Sequence, residues 1–219
     1  GTIEFDVAEI LTVTGSIIND GTWDVVTSAT GAVTMNGSTK TTSGGNLITM
    51  ASLASTSVTN DGLLTITGIL SGTLLINGAT GVLKLGGTPS VTTLTATAVG
   101  NDVYHTNTST IKATTYDDLF IDTGSATVTS AAATVNGNLT ITSGTTFSLA
   151  NAAFTVTGVT AISGALTNVT GNSGTRTFAG LVTINSGGSV ALTTGTNPLL
   201  SFGAGVTAES GSGSINFGT

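Results

Sequence analysis

Leu11-Thr12-Val13-Thr14-Gly15 recurs as Leu64-Thr65-Ile66-Thr67-Gly68 and as Phe154-Thr155-Val156-Thr157-Gly158, with Leu139-Thr140-Ile141-Thr142-Ser143 as a looser fourth copy. Each copy alternates an apolar residue with threonine, a period of two that puts the aliphatic side chains on one face and the hydroxyls on the other. Valine, isoleucine and threonine are β-branched and fit a pleated strand better than a helix. The phrase is a strand, and its recurrence says that the chain is built from repeats.

Extending the copies outward shows the size of the unit. Leu11–Gly37, Leu64–Gly87 and Phe154–Gly180 each contain a strand, a turn, a second strand, a glycine-containing corner and a third short strand. The third strand begins about 20 residues after the first, the scale of one coil of a three-sided solenoid. The reading is an all-β, right-handed parallel β-solenoid of about ten coils, one domain over residues 1–219, on the order of 50 Å long at the usual strand spacing. Asn19-Asp20-Gly21, Asn36-Gly37, Asn60-Asp61-Gly62, Asn77-Gly78 and Asn136-Gly137 are the predicted corners, where glycine and asparagine supply positive φ. Asn-Gly also signals a hairpin, so an antiparallel β-sandwich is the rival fold.

Composition agrees with a narrow interior and a neutral exterior. Only 7% of residues are charged, threonine is about a fifth of the chain, and there are seven Phe, two Tyr and one Trp. Like charges stacked in a ladder repel, whereas Thr, Ser and Asn hydrogen-bond along it. The net charge of −7, with Lys40, Lys84, Lys112 and Arg176 as the basic residues, excludes a phosphate backbone as partner. No apolar run approaches the roughly 20 residues of a membrane-spanning helix. With no cysteine there is no disulfide, thiolate metal site or thiol catalysis. The opening Gly1-Thr2, without an initiator Met, fits a processed chain or a piece of a longer one.

One segment departs from the pattern. Asn101–Asp122, NDVYHTNTSTIKATTYDDLFID, holds the single His, both Tyr and four acids. It is read as an irregular excursion, with Tyr104, His105 and Tyr116 as candidate glycan-binding residues and His105 at the surface. Asp117, Asp118 and Asp122 are candidate oxygen ligands for Ca²⁺. Asn36, Asn107, Asn138 and Asn168 lie in glycosylation sequons. No serine precedes a helix, so no nucleophile elbow is supported, and the chain is not read as an enzyme.

From Thr115 onward, TYDDLFIDTGSATVTSAAATVNGNLTITSGTTFSLANAAFTVTG followed by ISGALTNVTGNSGTRTFAGLVTINSGGSV resembles the Gly/Thr/Asn-rich repeats of bacterial cell-surface proteins. These are similar to the parallel β-helical passenger regions of autotransporters and filamentous-haemagglutinin-like adhesins. The resemblance implies an exported, elongated scaffold and brings over no catalytic residue.

The expectation for function is therefore an extracellular subunit or segment of a surface fibre or adhesin stalk. Gly1–Leu11 and Ser210–Thr219 both alternate like strands and neither reads as a cap. The expected partner is thus a second copy joined head to tail or by strand exchange. A binding module is the second reading, for glycan at residues 101–122 or for ice through outward threonine pairs. Those pairs, Thr12/Thr14, Thr65/Thr67, Thr127/Thr129, Thr140/Thr142 and Thr155/Thr157, are spaced 53, 62, 13 and 15 residues apart, too unevenly for one continuous ice face.

Overall fold

A computed structural model describes residues 10–21, 23, 32–37, 40–169, 174–192, 200–211 and 215–216. The strand expected over Ile3, Phe5 and Val7 and the tail residue Phe217 lie outside these residues. Among the described residues there is no helix, and every strand pairs with its neighbours in parallel. The chain is a right-handed parallel β-solenoid; the antiparallel sandwich is excluded. It divides into two compact units, residues 1–104 and 105–219.

In the first unit, the first face stacks Ile10–Val13, Ala32–Met35, Ser52–Ser55 and Leu70–Gly72. The second stacks Ile17–Ile18, Lys40–Ser43, Val58–Asn60, Leu74–Asn77 and Thr93–Thr95. The third stacks Ile48–Met50, Leu63–Ile66, Val82–Leu85 and Asp102–His105, whose last residue belongs to the second unit. In the second unit, one face runs from Ser109–Thr110 through Thr127–Thr129, Thr146–Leu149, Ala165–Asn168 and Ser189–Ala191 to Ile215–Asn216. The next runs from Thr115–Tyr116 through Ala133–Val135, Phe154–Val156 and Arg176–Phe178 to Leu200–Phe202. The last runs from Asp118–Ile121 through Leu139–Ile141, Thr160–Ile162 and Val182–Ile184 to Val206–Ala208. Counted on its third face, each unit holds four or five coils, slightly fewer than expected in sum.

The period of two builds the core directly. Within the second unit Ile121, Ile141, Ile162 and Ile184 stack in register, each fully buried. The fully buried Phe147 and Phe154 meet edge to face with ring centroids 5.3 Å apart. Each such side chain contributes roughly 1.5–3 kcal/mol relative to exposure. Outside, Thr115, Thr134, Thr155, Thr177 and Ser201 form one hydroxyl column.

Bend glycines such as Gly44, Gly100 and Gly144 adopt positive φ, but of the predicted corner glycines only one does. Gly37 has positive φ, at 110°, but Gly21, Gly62, Gly78 and Gly137 do not. Gly158, which closes the repeat phrase, is needed for room: a Cβ there would overlap the Gly137 carbonyl one coil below. The backbone stacks so closely at that corner that a side chain has no space.

Asn60, Asn77 and Asn101 of the first unit turn inward. Thr42 donates to Asn60 Oδ1 at 2.9 Å, and Asn60 Nδ2 to Asn77 Oδ1 at 2.8 Å. Asn77 Nδ2 then reaches Asn101 Oδ1 at 3.3 Å. These four side chains are fully buried. The same amide of Asn77 also serves the Gly81 and Asp102 carbonyls, each at 3.0 Å. A polar ladder thus satisfies the backbone at a corner where no strand can.

Candidate functional site

On the third face of the first unit the outward columns break the neutral rule. One column is Leu47, Leu63 and Val82, with Leu47 46% and Leu63 36% exposed. Beside it run Thr49, Thr65 and Lys84. The Lys84 ammonium sits 5.1 Å from the centre of the Tyr104 ring, a cation–π contact. Leu47, Leu63, Thr65, Val82, Lys84 and Tyr104 line a cavity of about 250 Å³, just below the usual range for a ligand pocket. Tyr104 is therefore placed at a surface concavity.

The other two candidate binding residues are not. Residues 101–122 form no excursion: Asp102–His105, Ser109–Thr110, Thr115–Tyr116 and Asp118–Ile121 are regular strands. Alternation through Asp102-Val103-Tyr104-His105 sends His105 inward with Val103, and both are fully buried, so His105 is not a surface residue. Tyr116 is likewise fully buried, its hydroxyl donating to the Lys112 carbonyl at 2.8 Å. Neither can meet a glycan. Burial raises the Tyr116 pKa above its ordinary value, against the lowering effect of the hydrogen bond with the Lys112 backbone.

His105 Nδ1 shares a hydrogen bond with the Ser109 hydroxyl at 2.9 Å, and that hydroxyl also lies 3.2 Å from the Asn107 carbonyl. Nε2 is buried and has no hydrogen-bond partner. Burial disfavours the imidazolium and lowers the pKa from 6.5 to about 4. Both members of the His–Ser pair are buried.

The three aspartates do not converge. Asp118 opens the strand Asp118–Ile121 and Asp122 follows its end, about 13 Å away at the usual rise of ~3.3 Å per residue. Asp118 Oδ1 accepts from the Asn138 backbone N–H at 2.5 Å, and Asp122 Oδ1 accepts from the Thr142 hydroxyl at 2.9 Å. Both are corner pins to the next coil. Among the described residues no three His, Cys, Asp or Glu side chains gather into a metal-ligating group. Of the sequon asparagines, Asn36, Asn107 and Asn138 are exposed and Asn168 is half-buried.

Sequence reasoning missed Arg176. It occupies an inward position between Phe154 and Leu200 and is 2% exposed. Its guanidinium donates to the Gly174 carbonyl and, at 2.6 Å, to the Ala150 carbonyl, while Nε has no partner. Burial lowers its pKa from the ordinary value. The signal was present: Arg176 and the apolar Phe178 are two apart and share a face.

The threonine pairs also sort differently in space. Thr12 lies on the first face of the first unit and Thr65 on its third, while Thr127, Thr140 and Thr155 occupy three different faces of the second unit. They make no common array. A different set does: Thr127/Thr129, Thr146/Ser148, Ala165/Thr167 and Ser189/Ala191 stand in register on one face. Sequence spacing hid it because the corners, not the strands, absorb the extra residues.

The chain matches no protein-family model, no curated protein and no solved structure.

Proposed function

We propose that the chain is an extracellular structural protein, a subunit or segment of a surface fibre or adhesin stalk, that joins a second copy through an open β rim. One observation carries this reading. Phe178, Val182 and Val190 are buried, but their partners in the last coil, Phe202, Val206 and Ile215, are not, and Ile215 is 42% exposed. Core-type side chains on the last described strands of the second unit are therefore partly exposed together, a surface on which another coil can stack. In the first unit the strand Ile10–Val13 also carries an exposed aliphatic side chain, with Ile10 69% exposed. Neutral ladders and aliphatic columns suit a load-bearing scaffold, and the reading assigns no catalytic role.

Purified protein is expected to assemble with rising concentration into filaments whose diffraction shows the ~4.8 Å strand spacing. Ile215→Lys, which puts a charge into the joint, is expected to abolish assembly with an unchanged circular dichroism spectrum. Dispersed monomers at high concentration would overturn the proposal.

A second reading rests on the two-column hydroxyl and methyl lattice through Thr127, Thr146, Ala165 and Ser189. Its spacings of about 4.8 Å between coils and roughly 6.6 Å along a strand make a regular array of the kind ordered water can match. Thermal hysteresis is the measurement. The ice reading predicts measurable hysteresis that Thr146→Tyr abolishes; wild-type protein with none removes it.

A further inference from the structure

We propose that Asn36 is a site of spontaneous deamidation, and that the fold exposes this one Asn-Gly pair to the reaction while shielding the other two. The chain has three such pairs, Asn36-Gly37, Asn77-Gly78 and Asn136-Gly137. In the reaction hydroxide removes the glycine amide proton. The nitrogen then attacks the asparagine Cγ, the N–Cγ bond forms, the Cγ–Nδ2 bond breaks, and ammonia leaves with a proton from water. Water adds to either carbonyl of the resulting succinimide and opens it to aspartate or isoaspartate. No oxidant or reductant takes part. The step needs a glycine N–H free to lose its proton and a side-chain amide free to swing onto it.

The three sites differ in these two requirements. The Gly78 N–H donates to the Asn60 carbonyl at 2.8 Å. The Asn77 amide is fully buried, accepting from Asn60 and donating to three acceptors, so both reacting groups are held. The Gly137 N–H donates to the Asp117 carbonyl at 2.9 Å, although the Asn136 side chain is exposed. At Asn36 the side chain and Gly37 are both exposed, and no hydrogen bond engages the Gly37 N–H among the described residues. The Asn36 N–H, bonded to the Val13 carbonyl at 3.1 Å, anchors the corner without touching the attacking nitrogen.

Lys40 Cε and Nζ lie 3.2 and 3.6 Å from where a Cβ on Gly37 would stand, so a cationic side chain borders this corner. Conversion takes the net charge from −7 to −8. The same Nδ2 is the acceptor in the sequon Asn36-Gly37-Ser38, so a glycan there would block the loss of ammonia.

The test is peptide mapping by mass spectrometry of unglycosylated full-length protein held at mildly alkaline pH, folded and in urea. The ratio of unfolded to folded rate is read at each Asn-Gly pair. Shielded pairs react only through local opening, so Asn77 and Asn136 are expected to be slowed by roughly tenfold or more relative to Asn36. A smaller separation, or Asn36 slowed as much as the other two, overturns the proposal.

Discussion

Asn77→Ala is expected to remove about 3–5 kcal/mol of stability from the residue 1–104 unit, because it strands several buried groups at once. Asn101 Oδ1 loses the donor at 3.3 Å, the Asp102 carbonyl loses one at 3.0 Å, and Asn60 Nδ2 keeps only its bond to the Val82 carbonyl at 3.2 Å. Each stranded buried group costs roughly 1–3 kcal/mol, and the vacated volume adds to it. Thr155→Ala, on an outer hydroxyl column of the other unit, is the contrast and should stay within about 0.5 kcal/mol, as for other surface changes. Urea unfolding, with hydrogen exchange to locate the loss, is the measurement. An Asn77→Ala loss below ~1 kcal/mol would mean that the ladder decorates the corner without holding it.

The second large effect is a pH dependence from His105. Folded protein keeps the imidazole neutral down to about pH 4, whereas the unfolded chain protonates it near 6.5. Between these values the unfolded state binds more protons, so stability falls as pH falls. The contribution is complete above about pH 6.5, declines by ~1.4 kcal/mol per pH unit, and totals about 3 kcal/mol by pH 4. His105→Gln, which keeps a hydrogen-bonding group for Ser109 and cannot titrate, should show a shallower slope in that window and the same slope above pH 7. Parallel curves for the two proteins would show that the buried imidazole is not the source.

The fold was legible because strand and interior share one period. Leu64-Thr65-Ile66-Thr67 states both its conformation and its buried face, and the repeat of the phrase states the stacking. The corners were harder. Asn77-Gly78 and Asn136-Gly137 read as tight turns with positive φ, yet Asn77 is a buried ladder member and Gly137 has no positive φ. A dipeptide cannot reveal what lies one coil away, and that neighbour decides its role. Residues 101–122 misled for a related reason: His, Tyr and Asp suggested a surface loop, while alternation through Val103, His105, Leu119 and Ile121 was the better guide. For the same reason Tyr104 found a surface concavity and Tyr116 did not. The asymmetric exposure of Asn36 depends on which carbonyls lie within reach of each glycine, information carried by the stacked coils alone.

Successive coils are unequal in length. Ile48 aligns with Leu64, 16 positions on, whereas Val182 aligns with Val206, 24 positions on, and both pairs stay in register. Length variation is thus confined to the bends while the straight segments remain superimposable. A chain of this design can gain or lose residues at its bends over generations without disturbing the interior, so its outline can diversify far faster than its framework.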